Sequence, residues 1–178
     1  LLFKQGRPIF FAQNRVGINN QLFKLYKFRT METTAEEDFH KSHYLDLAKG
    51  KSIEPNNFPL EPIRIENDDR ITAVGRFLRK TSLDELPNVL NVINGDMSLV
   101  GPRPLVDYES DLYGKYNVKR HSVLPGITGL AQVQGRLDLS LQERLFWDLK
   151  YIDSYKFTND LSIIFKTIAS VIRRKGAS

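Results

Sequence analysis

Two runs near the start of the chain, PIFFAQNRV and QLFKLYKF, interleave aromatic and aliphatic residues with polar ones, and Gly17-Ile18-Asn19-Asn20 lies between them. Strand formers on both sides of turn formers predict a β-hairpin. Thr34, with Glu37 three residues on, has the form of a capping box, so a helix is expected from there toward Gly50. A second helix is predicted over Thr72 to Lys80, with Val74, Phe77 and Leu78 on its inner face. Ser140 and Glu143 repeat the capping box ahead of Leu141, Leu145, Leu149 and Ile152, which keep helical spacing. A last helix is expected to begin at Asp160, its apolar positions Leu161, Ile164, Phe165, Ile168 and Ile172 preceding Arg173, Arg174 and Lys175. It suits either the cover of a core or the headgroup boundary of an anionic bilayer. No repeat and no low-complexity tract interrupts the series, and one hairpin among several helices predicts an α+β, helix-rich single domain with a small N-terminal antiparallel sheet.

Length and composition narrow the function more than the fold. A chain of 178 residues suits one domain, or one plus an insertion. With no cysteine, disulfide scaffolds, thiolate zinc sites and cysteine nucleophiles are excluded. His40 and His43, three apart on the expected first helix, lack the further ligands a metal cage needs, and His121 reads as a core or a turn residue. No apolar run approaches the roughly 18 residues of a spanning helix. The chain opens Leu1-Leu2-Phe3-Lys4, with neither an initiator methionine nor a signal-peptide pattern, and is expected to be cut from a longer polypeptide.

The formal net charge of +5 points to an anionic partner: a nucleic acid, a phosphorylated small molecule or an anionic membrane surface. That charge is unevenly placed. Residues 1–31 hold Lys4, Arg7, Arg15, Lys24, Lys27 and Arg29 and no acid, whereas residues 32–69 hold ten acids against four bases, with Pro55, Pro59 and Pro62. The second stretch reads as an acidic insertion, partly helical and otherwise loop.

Candidate chemistry concentrates in LRKTSLDELPNVLNVINGDMSLVGPRP, residues 78–104. Either Ser82 caps a helix with Glu85 closing a capping box, or Pro87 takes the first helical position with both acids just upstream. The second fits better, because a helix capped at Ser82 would need an amide hydrogen bond where Pro87 has none. Gly95 would end that helix. Adjacent Asp84 and Glu85 are ordinary at a helix start; equally, one carboxylate can attack phosphorus while the other helps hold Mg²⁺. Arg70, Arg79, Arg103 and Arg136 are the candidate phosphate forks, and each taken singly also reads as a surface or ion-paired residue. GPRP and PGITG are rigid turns, and residues 121–136 read either as a buried loop lining a pocket or as a core crossing.

Taken in order, FFAQNRVG with FKLYKFRTM, then NDDRITAVGRFLRKTSLDELPNVLNVINGDMSLVGPRP, PGITGLAQVQGR and DLKYIDSY, the chain resembles the catalytic domain of the bacterial sugar transferases. These are the polyprenyl-phosphate hexose-1-phosphate transferases, or monotopic phosphoglycosyl transferases. The likeness covers nearly the whole chain and implies one catalytic domain over residues 1–178, with 32–69 an insertion. It implies that Asp84 is the nucleophile and that Glu85 is its partner in binding Mg²⁺, both being candidate metal ligands. Arg79 and Arg136 match the phosphate-binding arginines, with Arg103 and Arg70 candidates for the same cluster.

The implied reaction transfers a sugar 1-phosphate from a UDP-sugar to polyprenyl phosphate. UMP is released, and a covalent aspartyl-phosphosugar forms on the way to a surface polysaccharide or glycoconjugate. Membrane-surface amphipathic helices would hold the domain on the cytoplasmic face of the inner membrane, and no nucleic acid is expected as partner. The family's N-terminal hydrophobic segment is missing from this chain, the stretch from Met31 to Asp69 suggests the larger-type branch, and Asn88 stands where members often carry glutamine. Two rival classes are a basic nucleic-acid-binding module, for which no RNA, zinc-finger or basic-zipper signature is present, and a non-catalytic membrane-surface scaffold.

Overall fold

The computed structural model describes residues 6–33, 42, 68–135 and 138–172. The helix expected after Thr34, both of its histidines and most of the acidic insertion lie outside the described residues.

The predicted hairpin is present. Strand β1 (Phe10–Val16) pairs antiparallel with β2 (Leu22–Phe28) through a 3₁₀ turn at Ile18–Asn20. Phe10 opposes Phe28 across the pair, and their rings stack with centroids 5.3 Å apart. The outer edge of β2 is closed by a side chain. Asn91 accepts from the Tyr26 amide at 3.2 Å and donates to the Lys24 carbonyl at 2.7 Å, so one buried amide stands in for a third strand. Asn91 belongs to the short helix α2 (Asn88–Ile93), which follows helix α1 (Ala73–Thr81). Thr72 caps α1 by accepting from the Gly75 amide.

A second sheet, not expected from sequence, is parallel: β3 (Ser98–Val100) lies beside β4 (Gly126–Thr128). Between them run α3 (Asp107–Asp111) and α4 (Asn117–Arg120). The described part of that tract, residues 121–135, is largely a core crossing, with β4 and α5 (Leu130–Gln134) in it. Three residues are too few for strand periodicity to register, which is why the sequence shows these stretches only as turns. His121 is both buried and in a turn; burial and the neighbouring Arg120 charge lower its pKa to about 4.

Helices α6 (Leu141–Asp153) and α7 (Phe157–Ile172) complete the fold. The Ser140–Glu143 capping box forms in full. Leu141 and Leu145 pack with Leu105 and Tyr113 in one core cluster, while Tyr151 of α6 joins Val100 and Ile163 in another.

Two sequence expectations are corrected here. Phe77 of α1 is exposed, and Leu78 alone of the three expected inner residues is fully buried. Helix α7 starts three residues before Asp160, and of its expected apolar positions Leu161, Phe165, Ile168 and Ile172 face outward, while Ile164 packs partly against the core beside the buried Ile163. Apolar residues occur on both sides of α7, so periodicity picks out a stripe without saying which side meets the core. Among the described residues no helix is long and apolar enough to cross a membrane.

Candidate active site

Local backbone geometry makes the acid pair. Helix α1 ends at Ser82, whose left-handed conformation (φ 56°) lets its N–H return to the Arg79 carbonyl and turns the chain sharply. A 3₁₀ turn, Leu83–Glu85, follows immediately, and Pro87 then caps α2. Of the two local readings, the one with both acids upstream of Pro87 holds. Pro87 itself sits one position earlier than expected, at the cap, and Ser82 closes the preceding helix instead of starting one. Gly95 follows the end of α2 with φ +82°, as a terminating glycine should.

Three elements converge on this turn. Lys27 of β2 donates to Glu85 Oε1 at 2.7 Å, and Arg103 of the GPRP segment donates to the same oxygen at 3.3 Å. Burial opposes the charge on Glu85, yet the two cations overrule it and hold its pKa down at about 2. Asp84 is left differently. No hydrogen bond reaches its carboxylate from the described residues, and burial raises its pKa despite the pull of Lys27, Arg79 and Arg103. Lys27 in turn is lowered by burial, against the attraction of Glu85. Two neighbouring carboxyls pushed in opposite directions suit two different tasks.

These shifts set a pH dependence. A depressed carboxyl such as Glu85 contributes stability above its unfolded pKa near 4.5 and loses it as pH falls through about 2. Asp84, raised, acts with the opposite sign and offsets part of this. Glu85→Gln is expected to lower the urea midpoint at pH 7, because Lys27 and Arg103 lose their anion. The gap from wild type should then narrow as pH drops from about 5 to about 2. A gap of constant size across that range would remove Glu85 from the acid transition.

Arg79 projects from the last turn of α1 and donates through Nε to Thr30 Oγ1 at 3.0 Å. The approach is possible because Gly75, one turn earlier, presses against the Thr30 backbone; a Cβ there would overlap the Thr30 carbonyl. Gly75→Ala should therefore cost roughly 1–3 kcal/mol by overpacking and should displace Arg79. A thermal midpoint unchanged by Gly75→Ala would show that this approach is not tight.

The remaining predicted arginines are placed unequally. Arg70 forks onto Asp68, with Nε at 2.8 Å and Nη2 at 2.7 Å, so one edge of its guanidinium is engaged while its charge is felt at Arg79. Arg136 lies outside the described residues. Lys27 was not singled out as a site residue from sequence, where it enters only as one of six basic residues in 1–31. A lysine set between Tyr26 and Phe28 inside an aromatic strand was the available signal, since such a strand buries a cation only beside an anion. Among the described residues no cluster of three or more acidic or histidine side chains could cage a metal, so any ion here would rest on the acid pair.

The family model "bacterial sugar transferase" matches residues 1–174. The chain is 42% identical to the undecaprenyl-phosphate galactose phosphotransferase of Salmonella typhimurium over 98% of its own length and 35% of that protein. It is 39% identical to the exopolysaccharide production protein ExoY of Rhizobium meliloti, over 98% of this chain and 75% of that protein. It is 37% identical to a UDP-glucose:undecaprenyl-phosphate glucose-1-phosphate transferase of Xanthomonas campestris, over 96% of this chain and 33% of that protein. The acid pair, its cations and the fold that presents them thus belong to a transferase domain: the chain is a member of the bacterial sugar transferase family. It spans about a third of the first and third of these relatives and three quarters of ExoY.

Proposed function

We propose that this domain transfers a sugar 1-phosphate from a UDP-sugar to polyprenyl phosphate, the first membrane step of a surface polysaccharide or glycoconjugate. The observation that carries the reading is the asymmetry of the acid pair. Glu85 is committed to two cations, while Asp84 beside it has no hydrogen bond from the described residues and lies within reach of the same positive field. An Asp84 oxygen attacks the sugar-bearing phosphorus, the phosphoanhydride P–O bond breaks, and UMP leaves with the bridging oxygen and the bonding pair. A phosphate oxygen of the polyprenyl acceptor then attacks the same phosphorus, and the Asp84 carboxylate departs unchanged. Lys27, Arg79 and Arg103, whose charges act on Asp84, would stabilise the negative charge that gathers on the transferred group. We place Arg136 in the same phosphate-binding set, as the resemblance implies.

The donor set fits Mg²⁺, a hard cation that takes one or two protein carboxylates and fills its other positions with water and phosphate oxygens. Both Asp84 oxygens and Glu85 Oε2 are free of hydrogen bonds from the described residues, so Asp84 and Glu85 would hold the ion. When bound it would neutralise charge on the donor's phosphate oxygens.

Apolar exposure around the acids supports a lipid acceptor. Leu83, Leu86, Leu90 and Ile93 are exposed on the turn and on α2, Ile93 to 75%, and α7 presents its own stripe with Phe165 at 70%. Both faces fit the cytoplasmic surface of the inner membrane, where a soluble donor and a lipid acceptor can take turns at one site.

The test supplies Mg²⁺, polyprenyl phosphate and a panel of UDP-sugars to the full-length protein in detergent or membrane. UMP release and a phosphosugar adduct by intact mass are expected, both lost on chelation. UMP release that requires acceptor and never leaves an adduct would replace the two-step route with direct transfer.

A further inference from the structure

Behind Arg103 lies a buried ion pair that the reaction itself does not use. Arg120, the last residue of α4, and Asp148, in α6, are each 2% exposed. The guanidinium donates Nε to Asp148 Oδ2 at 2.9 Å and holds Nη2 2.7 Å from the same oxygen. Nη2 also donates to the Arg103 carbonyl at 2.7 Å, and the Tyr113 ring lies 5.5 Å from the guanidinium carbon. Two packed apolar side chains would fill this space at no desolvation cost, so the pair is a poor way merely to gain stability.

What it reaches explains its use. The segment Pro102-Arg103-Pro104 has two residues without an N–H, so most of its backbone anchoring must come through carbonyls. Four in succession are held: Pro102 by the Gly126 amide at 2.9 Å, Arg103 by Arg120, Pro104 by Arg15 at 3.2 Å and Leu105 by the Val16 amide at 2.8 Å. The one at the residue that grips Glu85 is held by the fully buried cation.

We propose that Arg120, fixed by Asp148, is a positioning residue: it sets the place of Arg103 and, through Arg103, of Glu85. The proposal rests on the transfer reading of the acid pair. The experiment is chosen so that the two can fail separately.

The paired replacement Arg120→Met with Asp148→Leu removes both charges together and strands neither. In the full-length protein with Mg²⁺, polyprenyl phosphate and a UDP-sugar, it is expected to keep its thermal midpoint within a few degrees while kcat for UMP release falls roughly 10- to 100-fold. Adding Arg103→Ala to that background should cost no more than about twofold further, because both changes act through one guanidinium. In parallel, ¹⁵N relaxation of the Arg103 Nε–H should report a looser group in the paired variant than in wild type. If the paired variant fails to fold, Arg120→Lys, which keeps the charge but not the fork, is read by the same measurements.

Unchanged turnover, full additivity with Arg103→Ala, or an equally ordered Arg103 each overturns the proposal. A wild-type protein that releases no UMP from any donor removes the transfer reading, and the order of Arg103 then decides alone whether Arg120 anchors it.

Discussion

Asp84→Asn is expected to reduce UMP release by about three orders of magnitude or more and to leave no phosphosugar adduct, with the fold intact. An amide of the same shape keeps the turn Leu83–Glu85 but cannot carry the ester. Most substitutions of a half-buried charged group threaten stability, and this one is unusual in that respect. No hydrogen bond to Asp84 is lost among the described residues, and burial already works against its negative charge. Removing that charge also relieves its repulsion with Glu85, so the thermal midpoint should stay level or rise. Glu85→Gln, one residue on, should behave the other way because it takes the anion from Lys27 and Arg103. A folded Asp84→Asn protein that still turns over near the wild-type rate would falsify the assigned nucleophile.

The contrast between these neighbours shows how much was open to reading from sequence. Residue types at fixed offsets made the acids, the arginines and the two capping sites visible, and the hairpin followed from strand formers around a turn. Which acid is gripped was not visible, because the gripping cations arrive from β2 and from the GPRP segment, 58 and 18 residues away along the chain. Local pattern carries no information on such pairings. The parallel β3–β4 pair was hidden for the same reason, being short and joined only through a crossing of two helices. On α7 the apolar spacing suits either a core or a bilayer boundary, and most of the stripe faces outward while Ile164 packs partly inward. A helix apolar on more than one side leaves that choice to its neighbours.

The same dependence on distant partners predicts the largest effect on stability. Asp148→Leu alone is expected to cost roughly 3–5 kcal/mol, since it leaves Arg120 buried and charged with its main counter-ion gone. The nearby alternatives are poor. His121 presents a ring nitrogen 3.3 Å from Arg120 Nη1, and its pKa of about 4 marks how ill that pocket tolerates a second cation. The Arg103 carbonyl can accept only part of the charge's demand, and the Tyr113 ring adds a weak attraction. For a chain of this size the loss corresponds to a fall in thermal midpoint on the order of 10 °C. Adding Arg120→Met to Asp148→Leu should restore most of it, because the stranded charge and not the missing pair is what destabilises. If instead the two single replacements and the paired one lowered the midpoint equally, the interior around Arg120 would have to be wet enough to solvate a lone guanidinium, and its burial would no longer account for its hold on Arg103.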